Sequence, residues 1–180
     1  MPSLSDALAA YHILAAAEAS SNLARFDGVR YGYRADAESV EELYVKSRSE
    51  GLGAEVKRRI LLGSLMLSAE YSDYYRRAQA ARLRMSAEFA RVFARFDAIV
   101  SPTTPSVATH LDEKQEPLAQ YRSDIYTVSA AIAGIPAMSV PCGVGEGGMP
   151  VGLQLMGKAF SEATLYRIAA ALEDERGCLA

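Results

Sequence analysis

Gly143, Gly145 and Gly148 stand at the G-x-G-x-x-G spacing that lets a backbone approach a pyrophosphate. That chemistry needs a helix N-terminus directly after the loop. Met149-Pro150 and a second extended run follow instead, so the spacing predicts a β-hairpin turn. Gly152, Gly157 and Lys158 match most of a phosphate-binding P-loop. The intervening Leu153-Gln154-Leu155-Met156 alternates like a strand, however, and Ala159 stands where a magnesium-binding hydroxyl is required. Cys142 follows Pro141 at a strand end. A nucleophilic thiolate needs a basic neighbour; with only His12 and His110 in the chain, a small packed thiol is the expectation. The two histidines lie far apart and in no ligand spacing, so no metal site is expected.

Arg76, Arg77, Arg84, Arg91 and Arg95 lie on one strongly periodic segment. A basic helix can contact RNA phosphates, but without interleaved aromatics it reads as a solvated face. Nineteen Lys and Arg against 22 Asp and Glu leave a net charge of −3, too little to draw nucleic acid or an anionic membrane by field alone. Half the 180 residues are apolar and 23% are charged, the composition of a folded globular domain. No apolar run reaches membrane-spanning length and no secretory pattern opens the chain, so a cytoplasmic, soluble protein is the expectation.

The elements that must position any site are α/β in kind. Alanine-rich 4–24 predicts a helix, and Asp27-Gly28 with 29–34 a loop. Ser39 and Glu42 have capping-box spacing for a helix ending near Gly51 and Gly53. A further helix starts near Glu55 with Val56, Ile60 and Leu61 as its apolar stripe. Ala78, Ala81, Met85, Phe89, Val92 and Phe96 stack on one face of a helix over 74–97. A short strand over 98–100 leaves for a loop, and the polar 110–117 is expected to be exposed. Residues 124–133 predict a short helix in which Asp124 satisfies the N-terminal dipole. Strands over 137–141 and 151–156 flank a glycine-rich turn. A last helix begins at Ser161, buries Leu165, Ile168, Ala169 and Leu172, and ends at Gly177.

Longer strings go further. Glu18-Ala19-Ser20-Ser21-Asn22-Leu23-Ala24-Arg25-Phe26-Asp27-Gly28-Val29-Arg30-Tyr31-Gly32 resembles the A subunits of glutamyl-tRNA(Gln)/aspartyl-tRNA(Asn) amidotransferases, within the amidase-signature family. So do Ser47-Arg48-Ser49-Glu50-Gly51, the run 55–63, Ser123-Asp124-Ile125, Gly134-Ile135-Pro136, Ser139-Val140-Pro141-Cys142-Gly143 and Pro150-Val151-Gly152-Leu153-Gln154. They occur in family order over nearly the whole chain.

The resemblance implies an amidase-signature-type mixed β-sheet flanked by helices, of which residues 1–180 are the C-terminal portion. Pro2 or Ser3 is the expected start of the natural segment. The family's Ser-cis-Ser-Lys triad and its glycine- and serine-rich signature do not occur in this sequence, so no catalytic residue is assigned here and the chain alone is expected to be inactive. The intact subunit would hydrolyse glutamine and pass ammonia to a B subunit, which activates mischarged tRNA with ATP and Mg2+ while a small C subunit holds the assembly. By motif match, Arg59 would grip the glutamine α-carboxylate, Asp124 its α-ammonium, and Tyr11 would line the pocket. Self-association is expected where the missing portion leaves sheet edge uncovered. Two other readings stay open: a different amidase-signature hydrolase, and a non-catalytic module that uses its arginine-rich helix to bind a partner or RNA.

Overall fold

The computed structural model describes residues 1–112 and 121–177. Most of the expected polar loop over 110–117, and Cys178, lie outside the described residues. The chain forms two compact units, Met1–Tyr11 with Ala80–Ala180, and His12–Gln79, whose boundaries fall inside two helices.

The unit His12–Gln79 is helical. Helix α1, Ala7–Asn22, enters it and buries Leu14, Ala16 and Ala17. The loop that follows is held by its own polar groups. Buried Asp27 accepts from the Val29 and Arg30 backbone N–H groups at 2.9 and 3.1 Å, which holds its carboxyl below the ordinary carboxylate range. Arg48 donates to the Leu23 and Phe26 carbonyls, each at 3.0 Å. Helix α2, Val40–Gly51, starts as expected, with Ser39 Oγ accepting from Glu42 N at 3.1 Å. The Glu42 carboxylate reaches one residue past the cap and accepts from Glu38 N at 3.0 Å. Helix α3, Ala54–Met66, follows Gly53. Two residues of its expected stripe, Val56 and Ile60, are partly buried, whereas the third, Leu61, is 72% exposed.

Helix α4, Ser72–Phe93, runs on into the other unit. Ala78, Ala81, Met85 and Phe89 are buried, as their spacing predicts, and the arginines among them are exposed. Phe96 falls off the stripe because the helix ends before it. Arg95 N and Phe96 N both bond the Val92 carbonyl at 3.0 Å, tightening the last turn.

Strands β1, Ala98–Pro102, β2, Ala137–Val144, and β3, Pro150–Gly157, form one antiparallel sheet in the order β1-β3-β2. Both glycine patterns therefore belong to a hairpin. Gly145 and Gly148 lie in the β2–β3 turn, and Gly152 and Gly157 are strand residues of β3. One sheet face, with Val140 and Leu155, packs against Leu165 and Ala169 of helix α6, Glu162–Gly177. The opposite face, with Ile99 and Met156, packs against Phe89 and Phe93 of α4 and Ala130 of helix α5, Val128–Ala133.

Candidate functional site

Arg59 sits in the second turn of α3, in the helical unit. Glu55 occupies the first turn, where the helix dipole favours an acid, and the i,i+3 and i,i+4 spacings bring two guanidinium groups onto it. Arg58 grips it bidentately, Nε to Oε2 and Nη2 to Oε1, both at 2.8 Å. Arg59 Nε donates to Oε1 at 2.9 Å. The two donors, Arg58 first, push the Glu55 pKa down to about 2. The Arg59 side chain stays 44% exposed. Its charge is thus presented at the surface in an orientation set by a neighbouring carboxylate. This ion pair is also what a plain surface arginine would make.

Asp124 and Tyr11 belong to the other unit. Tyr11 is partly buried on α1. Asp124 does not start a helix as expected: α5 begins four residues later, at Val128. Asp124 lies in a turn, where its carbonyl accepts from Thr127 N and Val128 N at 3.0 Å and from Thr127 Oγ1 at 3.1 Å. Its residue is exposed. The acid is therefore displayed by a turn, and the helix dipole is not its partner.

A polar row emerges only from strand pairing. Cross-strand register aligns Ser101 of β1, Gln154 of β3 and Ser139 of β2 on one sheet face. Gln154 is 3% exposed; its Nε2 donates to the Tyr126 carbonyl at 3.1 Å and to Ser101 Oγ at 3.4 Å. One step along, Thr103 Oγ1 and Ser139 Oγ share a 2.6 Å hydrogen bond. A Cβ on Gly152 would lie 2.7 Å from Ser139 Oγ and 2.8 Å from Thr103 Oγ1, so the hydroxyl pair requires glycine there. Alternation along 151–156 marks the shared face of Gly152 and Gln154, but only pairing brings in the hydroxyls.

Cys142 corrects a second expectation. It is the extra residue of a bulge between Pro141↔Gly152 and Gly143↔Val151, and it is exposed. Among the described residues, no group of three or more His, Cys, Asp and Glu side chains could hold a metal ion. Among the same residues, no helix is long and apolar enough to cross a membrane.

The chain is 52% identical over 179 residues to the A subunit of the glutamyl-tRNA(Gln) amidotransferase of Exiguobacterium sp.. That match covers 98% of this chain and 37% of the relative. Against an A subunit of the same enzyme from Clostridium acetobutylicum the identity is 58% over 174 residues, covering 94% and 36%. The crystal structure of the A subunit from Thermotoga maritima is similar with a TM-score of 0.68 at 36% identity, over 96% of this chain and 33% of that one. This chain thus spans about a third of the length of the relatives it matches. A crystal structure of an amidase, 23% identical with a TM-score of 0.70, shares the fold. The family profile described as Amidase matches residues 1–166, and the chain belongs to the amidase family.

Proposed function

We propose that this chain is the glutamine-recognising portion of the A subunit of a tRNA-dependent amidotransferase, a carbon–nitrogen ligase with glutamine as its amide donor. The observation that carries the reading is 52–58% identity to such subunits over 94–98% of the chain. In this reading the Ser-cis-Ser-Lys machinery belongs to sequence outside these 180 residues, and the chain alone does not hydrolyse glutamine. The ammonia released goes to a B subunit, where ATP and Mg2+ serve to activate the aminoacyl group of mischarged tRNA. A C subunit completes a soluble, cytoplasmic heterotrimer. Without that context the outer strands of the sheet, β1 and β2, offer edges for self-association.

The residues here bind and orient. Free glutamine carries a carboxylate and an ammonium on its α-carbon, and a selective site holds both away from the reacting amide. Arg59 takes the carboxylate, for which a planar guanidinium is suited, while Glu55 sets its Nε edge. Asp124 takes the ammonium from an exposed turn, and Tyr11 supplies pocket wall. A hydrogen bond to a charged group contributes about 1.5–3 kcal/mol, a factor of roughly ten to a hundred. In the complete enzyme, Arg59→Ala is expected to lower glutamine-dependent transamidation at least tenfold and to spare the reaction fed with an ammonium salt. Equal loss with both nitrogen donors would refute the assignment.

A further inference from the structure

We propose that Gln154 is a positioning residue for the turn that presents Asp124, acting through the backbone of Tyr126. The inference rests on the reading of Asp124 as the ammonium-binding group. Gln154 lies on the central strand β3, 3% exposed, between Ser101 and Ser139 on the face whose Met156 packs against α4 and α5. A buried carboxamide is unfavourable unless its donors are used. Both Nε2 donors have acceptors: the Ser101 hydroxyl in the sheet and the Tyr126 carbonyl, 28 residues away in sequence. The second bond reaches out of the sheet into the Asp124 turn.

The turn also carries bonds of its own. Asp124 N donates to the Tyr121 carbonyl at 3.3 Å, and the Asp124 carbonyl collects Thr127 N, Val128 N and Thr127 Oγ1. These local bonds set the shape of the turn but not its placement against the sheet. Gln154 fixes that placement from below, two residues from the exposed carboxylate. An apolar side chain of the same volume would fill the space equally well and hold nothing. The polar choice is thus spent on where the turn sits.

Hydrogen exchange on the 180-residue chain tests the positioning directly. Gln154→Met keeps the volume and removes both donors; Gln154→Asn keeps the amide but is a methylene too short. Either variant is expected to speed exchange of the Thr127 and Val128 amides at least tenfold, while the β3 amides, as a control for folding, keep their protection. Should one variant lose sheet protection, the other carries the readout. Unchanged exchange at both positions overturns the proposal. In the complete enzyme, Gln154→Met is expected to raise the KM for glutamine about tenfold with kcat within twofold, and to have no further effect in an Asp124→Ala background. A full effect persisting in that background overturns action through Asp124. If Asp124→Ala leaves the KM unchanged, the pocket reading fails instead, and the exchange result still decides whether Gln154 holds the turn.

Discussion

Gly63 of α3 lies against the Ala16 main chain of α1, and replacing it with alanine sets two effects of opposite sign against each other. In a free helix the change gains about 1 kcal/mol, because glycine is the poorest helix former after proline. Here a Cβ at position 63 would run into the Ala16 carbonyl of α1, with the Ala16 carbonyl carbon at 2.5 Å and Ser20 Cβ at 2.7 Å. The obstacle is main chain inside a helix, which cannot rotate away as a side-chain tip can. Overpacking of this kind costs about 1–3 kcal/mol, and a backbone obstacle belongs at the upper end. Gly63→Ala is therefore expected to destabilise the chain by a net ~1–2 kcal/mol. With a urea slope of about 2 kcal/mol per molar, the midpoint followed by far-UV circular dichroism falls by roughly 0.5–1 M. Leu61→Ala, two residues earlier and 72% exposed, is the control and should stay within about 0.5 kcal/mol. Arg59 lies one helical turn before Gly63, so a displaced α3 would carry it along. A Gly63→Ala chain as stable as the parent would mean that helix propensity outweighs packing, and the close approach would lose its role.

Two further outcomes concern the sheet and the Glu55 pair. Leu155→Ala removes a fully buried side chain between β2 and α6 and is expected to cost about 2–5 kcal/mol, read as a lower urea midpoint at constant slope; a loss under about 1 kcal/mol would place the core elsewhere. Glu55 should titrate near 2 by carboxyl NMR, against 4.5 for a free glutamate. A depressed folded-state pKa means that its contribution to stability is complete above about pH 4.5 and is lost as pH falls towards 2. A midpoint above about 4 would show that the arginines do not engage it.

Much of this architecture is legible in the sequence because local signals and burial agree. The spacing of Ala78, Ala81, Met85 and Phe89 draws the buried face of α4, the Ser39 hydroxyl marks the start of α2, and Leu165 and Ala169 draw the inner face of α6. Local signals fail where a nonlocal bond or a bulge decides. Ser123-Asp124 has the composition of a helix cap, yet the segment stays a turn and the helix waits for Val128. Cys142 has the flanks of a strand residue, and a one-residue bulge puts it outside. The hydroxyls facing Gln154 come from segments far apart in sequence, and only the register of three strands aligns them. Arg59 stands out by motif alone, although the i,i+4 spacing to Glu55 already encodes its ion pair.

The most direct test is substrate dissection in the complete enzyme carrying this segment. Glutamine is compared with glutaramate, which lacks the α-ammonium, and with 4-aminobutanamide, which lacks the α-carboxylate. Arg59→Ala should lower kcat/KM at least tenfold for glutamine and glutaramate and leave 4-aminobutanamide within about twofold, while Asp124→Ala should spare only glutaramate. Uniform loss across all three amides, in either variant, would contradict recognition of the zwitterion by these two charges.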